Sequence, residues 1–512
     1  MSSASTDLYR PRGAVDLLRI PLLGRWLKWR WGRLSLQIPM ALIALLLIYD
    51  GFTGPQQAAQ NLATVVPWVH YRGFVVLALL LAGNLFCMAC PFTLPRTLGK
   101  RFSLNKRHFP KRLRNKWVAV SALLFIFFLY EWLDLWASPV LTAWVIVAYF
   151  VASFVLEAAF GESAFCKYVC PLGTFNFVYA TAAPTKIGSR SLDICQQCVG
   201  KECVNGSYSP EPVIRINEIT GGNNTIVHDK QGTPGCGTLL FVPQMQTNLD
   251  CVLCLDCVRA CPHDNVGLFT RVPGQELAQP RPDSGAWPRR WDVSFLIVAL
   301  AYLGIVNAFG MIPPVYDLMQ NIATTLNLRA AGWSNETIEG FALLLIFAIG
   351  GVLLPALTLV GAGTLSRVLT RKGRQTSLRH TAAAFAPSFV PVGLAIWIGH
   401  YGFHFLIGAL TLIPVLQNFL IDHRITLLGT EPNWGLASLV PDTGVIGLIQ
   451  VVVLVGGFAW SMLLAQRTAM RLYRRDAPFG LLPWALVLLA LMLAAIAIFG
   501  QPMEMRGTLL FD

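Results

Sequence analysis

Apolar and polar segments alternate along this chain with a period too long for a soluble fold. Nine mostly apolar runs can be read near 35–53, 72–89, 117–136, 141–160, 292–312, 341–363, 383–410, 445–465 and 480–500. A helix needs roughly 20 residues to cross about 30 Å of hydrocarbon, and each run approaches or exceeds that length. Pro387 and Pro391 fall inside the seventh run, where a helix is expected to bend or break. Between the fourth and fifth runs lies the one long polar stretch, rich in Gly, Pro and Asn, as in 205-NGSYSPEP-212 and 220-TGGNNT-225. The pattern predicts an all-α polytopic membrane protein of about nine transmembrane helices with a small inserted soluble domain. Its expected parts are a basic N-terminus (1–34), a four-helix membrane core (35–184), the insert (185–290) and a five-helix membrane domain (291–512).

Composition agrees with this pattern, since 54% of the 512 residues are hydrophobic, 13% are charged and the mean hydropathy is +0.55. Forty Lys and Arg against 27 Asp and Glu leave a net charge of +13. In so apolar a chain that excess marks the loops of one membrane face and not a nucleic-acid groove. Segments 1–34, 92–116, 366–380 and 466–476 carry 7, 9, 5 and 4 basic residues, whereas the opposite side has Arg72, Arg329, Arg424 and Arg506. The positive-inside rule therefore places the N-terminus and the insert in the cytoplasm and the C-terminus outside, as in a bacterial inner-membrane protein. No apolar core with a small-residue cleavage site occupies the first twenty residues, so no cleaved signal peptide is expected. Leu17 to Arg33 mixes Leu and Trp with Arg and Lys, which suits either the headgroup layer or a simple flank to the first span.

Twelve cysteines change the picture from a membrane protein to a membrane protein with metal chemistry. The run 251-CVLCLDCVRACP-262 sets Cys251, Cys254, Cys257 and Cys261 before Pro262, the C-x2-C-x2-C-x3-C-P spacing of bacterial ferredoxins. Three thiolates on one tight turn cap three irons of a cubane, and the fourth points to a second cluster. A partner run is therefore required, and 195-CQQCVGKEC-203 supplies Cys195, Cys198 and Cys203, with Cys236 in 234-PGCG-237 as its displaced fourth member. The crossed assignment gives one [4Fe-4S] cluster to Cys195, Cys198, Cys203 and Cys261, and the other to Cys251, Cys254, Cys257 and Cys236. Structural zinc on the CxxC pairs is the alternative.

A third group sits where two spans end, in 86-FCMACPF-92 and 165-FCKYVCPLG-173. Cys87, Cys90, Cys166 and Cys170 offer four soft ligands at one depth, for a further metal site, a redox-active thiol pair or simple packing. The stretch 62-LATVVPWVHYRGFVVLALLLAGNLFCMACP-91, followed by 165-FCKYVCPLG-173 and the ferredoxin-like insert, resembles the membrane-bound 4Fe-4S polyferredoxin family typified by the NosR, NapH and CcoG proteins. The likeness covers about residues 35–290, and the last five spans are not matched. It implies two cytoplasmic [4Fe-4S] clusters on a helical core, held by the two crossed sets, in an electron-transfer oxidoreductase component. It further implies electrons passing between a quinol or cytoplasmic donor and a partner redox enzyme. The chain departs from the family in having CxxCP in place of the first CxxxCP, and in the displacement of the fourth cysteine to Cys236.

The last five spans carry 399-GHYGFHF-405, whose His400 and His404 share one helix face, with His423 in the following loop and His70 on the second span. The readings are a haem b, for which a second His from another segment is needed, a quinone site, or interfacial His satisfied by water. Glu131, Asp134 and Glu157 are unusual at membrane depth. Glu131 and Asp134, three apart and expected on one face near the outer boundary, either cap the span or supply the carboxylate that proton release from quinol needs. No GxGxxG or P-loop is present, so a nucleotide cofactor would sit on a partner. The leading expectation is an inner-membrane iron-sulfur electron-transfer protein. The alternatives are a copper reductase or maturation factor for a respiratory oxidase, and a redox-sensing membrane protein.

Overall fold

The computed structural model describes residues 14–95, 108–160, 162–208, 232–278, 290–371 and 373–503. The 220–225 stretch, much of the basic 92–116 loop and the chain's last residues lie outside the described residues. Among those described, the apolar runs all fall on helices: α1 (Leu34–Thr53), α2 (Leu62–Leu81), α3 (Trp117–Trp132), α4 (Pro139–Ala159), α5 (Trp291–Phe309), α6 (Asn335–Val368), α7 (Leu378–Ile407), α8 (Thr443–Tyr473) and α9 (Ala477–Phe499). Seven helical stretches are long and apolar enough to cross a membrane, the last being Thr443–Phe499, and α3 is a shorter apolar helix of 16 residues. The chain is a mostly helical, multi-pass membrane protein.

The stretch Thr443–Phe499 is two helices and not one. Gln450 donates to the Gly399 carbonyl (3.0 Å) while Ser461 accepts from Val392 N–H (3.0 Å), so α8 runs antiparallel to α7. Trp484 stacks on Phe385 and Phe499 lies beside His400, so α9 runs parallel to α7. The reversal falls at Arg474, whose φ of 53° no helix tolerates. More than four-fifths of the apolar windows of α5 and α7 are buried, against less than a third in α1 and α4, which puts α5 and α7 at the centre. Small residues let these backbones approach: Gly304 faces Ile396 and Trp397, Gly393 faces Ala301, and Gly457 faces Ala395. One continuous core runs from Val75 on α2 to Ala495 on α9, so the two membrane halves pack as one bundle.

Several boundaries differ from the sequence expectation, and three of them move candidate residues. Helix α2 starts ten residues early because the Asn61 side chain caps Ala63 N–H (2.8 Å) and the Asp50 carboxylate accepts from Leu62 N–H (2.7 Å). Arg72, counted above among loop cations, therefore lies in the middle of a spanning helix. Helix α2 also stops at Leu81, where Gly83 turns left-handed at φ 86°, and the first cysteine pair rides on a separate short helix, Leu85–Ala89. Helix α3 ends at Trp132, and Asp134 sits in the following turn at φ 43°, off the face of Glu131. Pro387 changes the hydrogen bonding of α7 to a 3-10 turn at Ala386–Ser388 without ending it.

The polar stretch folds over one end of the bundle. Its strands are β1 (Thr185–Ser189), β2 (Ser207–Tyr208), β3 (Gly232–Thr233) and β4 (Val266–Thr270), paired antiparallel as β1 with β4 and β2 with β3. Docking is polar and specific. Asn84 donates to the Cys251 carbonyl (2.8 Å) and Thr185 to the Ala82 carbonyl (2.8 Å), filling acceptors near the break after α2. Buried Lys116 pairs with Asp250 and donates to the Lys167 carbonyl (2.6 Å). The helix Pro21–Lys28 joins the same unit: Leu18 and Leu27 are buried with Ile187 and Leu268, and Lys28 pairs with Asp264 (2.8 Å). The opposite face of this segment leaves Leu22, Trp29 and Trp31 exposed.

Candidate functional site

Strand register decides how the cysteines meet. In the β1–β4 pair Ser189 lies opposite Val266. Cys195 follows the end of β1 and Cys261 precedes the start of β4, so the pairing draws the last cysteine of the second run to the first. Cys195, Cys198, Cys203 and Cys261 line a single small pocket together with Phe241, Val242 and His263. Cys236, the displaced residue, lies within electrostatic reach of Cys251, Cys254 and Cys257. Cys251 in turn lies within reach of Cys87 at the membrane edge.

Both sets are surrounded by donors suited to anionic sulfur. Asn265 gives Cys261 its backbone N–H (3.4 Å) and Cys195 its side-chain amide (3.1 Å), and Leu240 N–H points at Cys236 (3.4 Å). Backbone N–H groups of Val242, Leu253 and Asp256 serve Cys203, Cys251 and Cys254. These donors face inward because the loops are twisted. Lys201, Leu239, Asp250, Leu253, Leu255 and Asp264 all have φ between 44° and 67°. A left-handed residue costs about 1–2 kcal/mol, and the conformation turns successive N–H groups into an anion-binding concavity.

The sets differ in exposure. Cys198 is close to solvent, with its thiol donating to Glu202 (3.1 Å), whereas Cys254 and Cys257 are buried. Burial pushes the Cys203 thiol up to about 11 and Cys251 up to about 12, and holds Cys257 well above the usual thiol range. Metal ligation takes these sulfurs as thiolates, so a bound cation would oppose that rise. Among the described residues no three His, Cys, Asp or Glu side chains are set closely enough to hold one metal ion. A tetrahedral zinc holds each sulfur at about 2.3 Å and brings the four nearly into contact. A cubane puts its irons between them and requires a wider spacing, with one thiolate per iron.

At the membrane edge, Cys87, Cys90 and Cys170 lie within electrostatic reach of one another, and Cys166 stands one turn before Cys170. The two motifs differ by one residue and yet end alike. Cys90 (φ −60°, ψ 120°) and Cys170 (φ −63°, ψ 115°) are both extended, and each leads into a new helical turn that begins at proline. The extra residue of the second motif is absorbed by a π-turn over Phe165–Val169, which spends five residues where an α-turn spends four. Gly173 N–H donates to the Cys170 sulfur (3.2 Å) and Asn176 to Cys87 (3.5 Å).

The other candidates are dispersed. His400 and His404 are buried on α7 with ring centroids 5.2 Å apart, and His400 Nε2 meets Met311 Sδ at 3.2 Å. His70 lies elsewhere, between the Val65 and Ala409 carbonyls, and His423 is exposed on Phe419 and Tyr49. Glu131 is buried and accepts from Asn307 (3.1 Å), and Glu157 is buried on α4. One feature escaped the sequence reading: an apolar cavity of about 210 Å³ between α1, α2, α3 and α4, reached by Arg72 and Tyr401. Arg72, read from the sequence as a loop cation at the start of a span, gave no sign of it. Comparison of the chain with family models, with curated proteins and with solved structures finds no match in any of the three.

Proposed function

We propose that the protein is an iron-sulfur electron-transfer component of the bacterial inner membrane. Two [4Fe-4S] clusters would be held by Cys195, Cys198, Cys203 and Cys261, and by Cys236, Cys251, Cys254 and Cys257. The observation that carries this reading is the convergence of eight cysteines, scattered over 67 residues of sequence, into two sets of four, each facing inward-turned N–H donors. In this reading 185–290 is a ferredoxin-like domain on the cytoplasmic face, and the C-terminus lies on the other side. Bound clusters would supply one-electron carriers, and hydrogen bonds to the sulfurs and solvent exposure would set their potentials. The set that contains half-buried Cys198 suits exchange with a soluble partner, and the set that contains buried Cys254 and Cys257 suits transfer to the membrane edge through Cys251 and Cys87. Electrons would then move between a quinol or cytoplasmic donor and a partner redox enzyme.

The decisive measurement is iron and acid-labile sulfide per chain after anaerobic purification, with about eight of each expected for two cubanes. A clear excess would add a cluster or metal at Cys87, Cys90, Cys166 and Cys170. Stoichiometric zinc without iron would overturn the reading. If the edge thiols serve copper handling instead, the purified protein will bind Cu(I) there in a manner lost on replacing Cys87 and Cys90 with Ser.

A further inference from the structure

The cavity between α1 and α4 joins two unlike ends. At one end it is lined by Pro91, Leu172 and Tyr149, beside the membrane-edge cysteines, and Tyr149 lies within electrostatic reach of Cys90 and Cys170. At the other it meets Arg72, whose guanidinium carbon lies 4.4 Å from the Trp68 ring, 4.2 Å from Tyr130 and 5.1 Å from Tyr401. Arg72 also hydrogen-bonds Tyr130, and Glu131 lies within reach of its charge. A cation caged by three aromatic faces and balanced by a nearby carboxylate is stable without an anionic guest. Its remaining N–H groups are then donors that suit neutral oxygen acceptors.

Size and lining narrow the guest further. About 210 Å³ is below the roughly 300–1,000 Å³ of pockets that enclose drug-sized ligands, so one substituted ring fits and a whole phospholipid does not. The walls between the two ends are aliphatic and aromatic. We propose that this cavity binds the head ring of a lipid-soluble quinone, with Arg72 donating to its oxygen and the Tyr130 ring packing beside it. The inference rests on the electron-transfer reading and deepens it: it locates the lipid-soluble carrier on α1–α4, away from the His400 and His404 pair, with its ring next to the cysteines that adjoin the buried set.

The test is equilibrium binding of decylubiquinone and of tail-less menadione to the full chain in detergent, with iron measured on the same samples. Saturable binding is expected. Arg72→Gln should weaken it about tenfold or more, since a hydrogen bond to a charged donor is worth about 1.5–3 kcal/mol. Val145→Trp, which fills the cavity and keeps Arg72, should abolish it and guards against a folding defect in the first variant. Undiminished binding in both variants overturns the proposal. So does a fatty acid or phospholipid that co-purifies at one per chain and is released only by Arg72→Gln. Quinone binding by a chain without iron would sink the cluster reading and leave this one standing. Eight irons with no quinone binding would do the reverse.

Discussion

Cys236 donates its backbone N–H to the carbonyl of Cys203 at 2.9 Å, although 32 residues separate them in sequence. The short β2–β3 ladder explains this closeness. Ser207 pairs with Thr233 and Tyr208 with Gly232, so the chain leaves after Cys203 and returns just before Cys236 at the same place. The long gap that makes the first cysteine motif look degenerate is therefore an excursion from a closed base.

That closure predicts that the excursion is dispensable for metal binding. Joining Tyr208 to Gly232 through Asn-Gly, the two-residue turn that suits a hairpin, should leave iron per chain unchanged. A drop below the wild-type iron content would show that residues 209–231 do more than connect.

The two sets should fail separately. Cys236→Ser and Cys261→Ser each remove one proposed ligand from a different cubane, so each should lower iron from about eight to about four per chain. The double variant should approach zero. Electron paramagnetic resonance of the reduced single variants would show one cluster signal each, and two identical spectra would refute the crossed assignment.

Asp264 ties the N-terminal helix to the insert through Lys28 (2.8 Å) and Arg190 (3.0 Å). Slight burial raises its carboxyl, but the Lys28 hydrogen bond and the Arg190 charge outweigh it and hold the group below the usual 3.8. The pairing thus contributes stability above pH 3.8 and loses it as pH falls through the lower folded value. Its contribution is small because the Asp264 side chain is 68% exposed. Asp264→Asn should modestly speed proteolysis of the Pro21–Lys28 segment at pH 7, and the difference from wild type should shrink as pH falls below 3.8.

Gly457 sits where a Cβ would lie 2.4 Å from that of Ala395 and 2.9 Å from the Pro391 carbonyl. Gly457→Ala should push α8 away from α7 and cost about 1–3 kcal/mol, read as a lower unfolding midpoint in detergent. Gly456→Ala, at a position with open space around it, is the control and should change little.

Hydrophobic run length alone determined that the nine apolar runs are helical, seven helical stretches among the described residues being long and apolar enough to span, because a membrane tolerates few other ways to satisfy the backbone. Cysteine spacing likewise singled out 251–261 as the stretch on which the cluster proposal rests, since a cubane would need several thiols on one tight turn. Three things waited for the tertiary structure. Which cysteines meet depends on β1 pairing with β4 and β2 with β3, contacts between residues far apart in sequence. The equivalence of CxxCP and CxxxCP depends on a π-turn, a local change of pitch that residue identities do not announce. Arg72 looked like a loop cation until the Asn61 cap began its helix early, and only the packing of Trp68, Tyr130 and Tyr401 around it made the arginine part of a cavity. Local composition sets which segments enter the membrane; the long-range contacts that bring distant side chains together set what the assembled protein can bind.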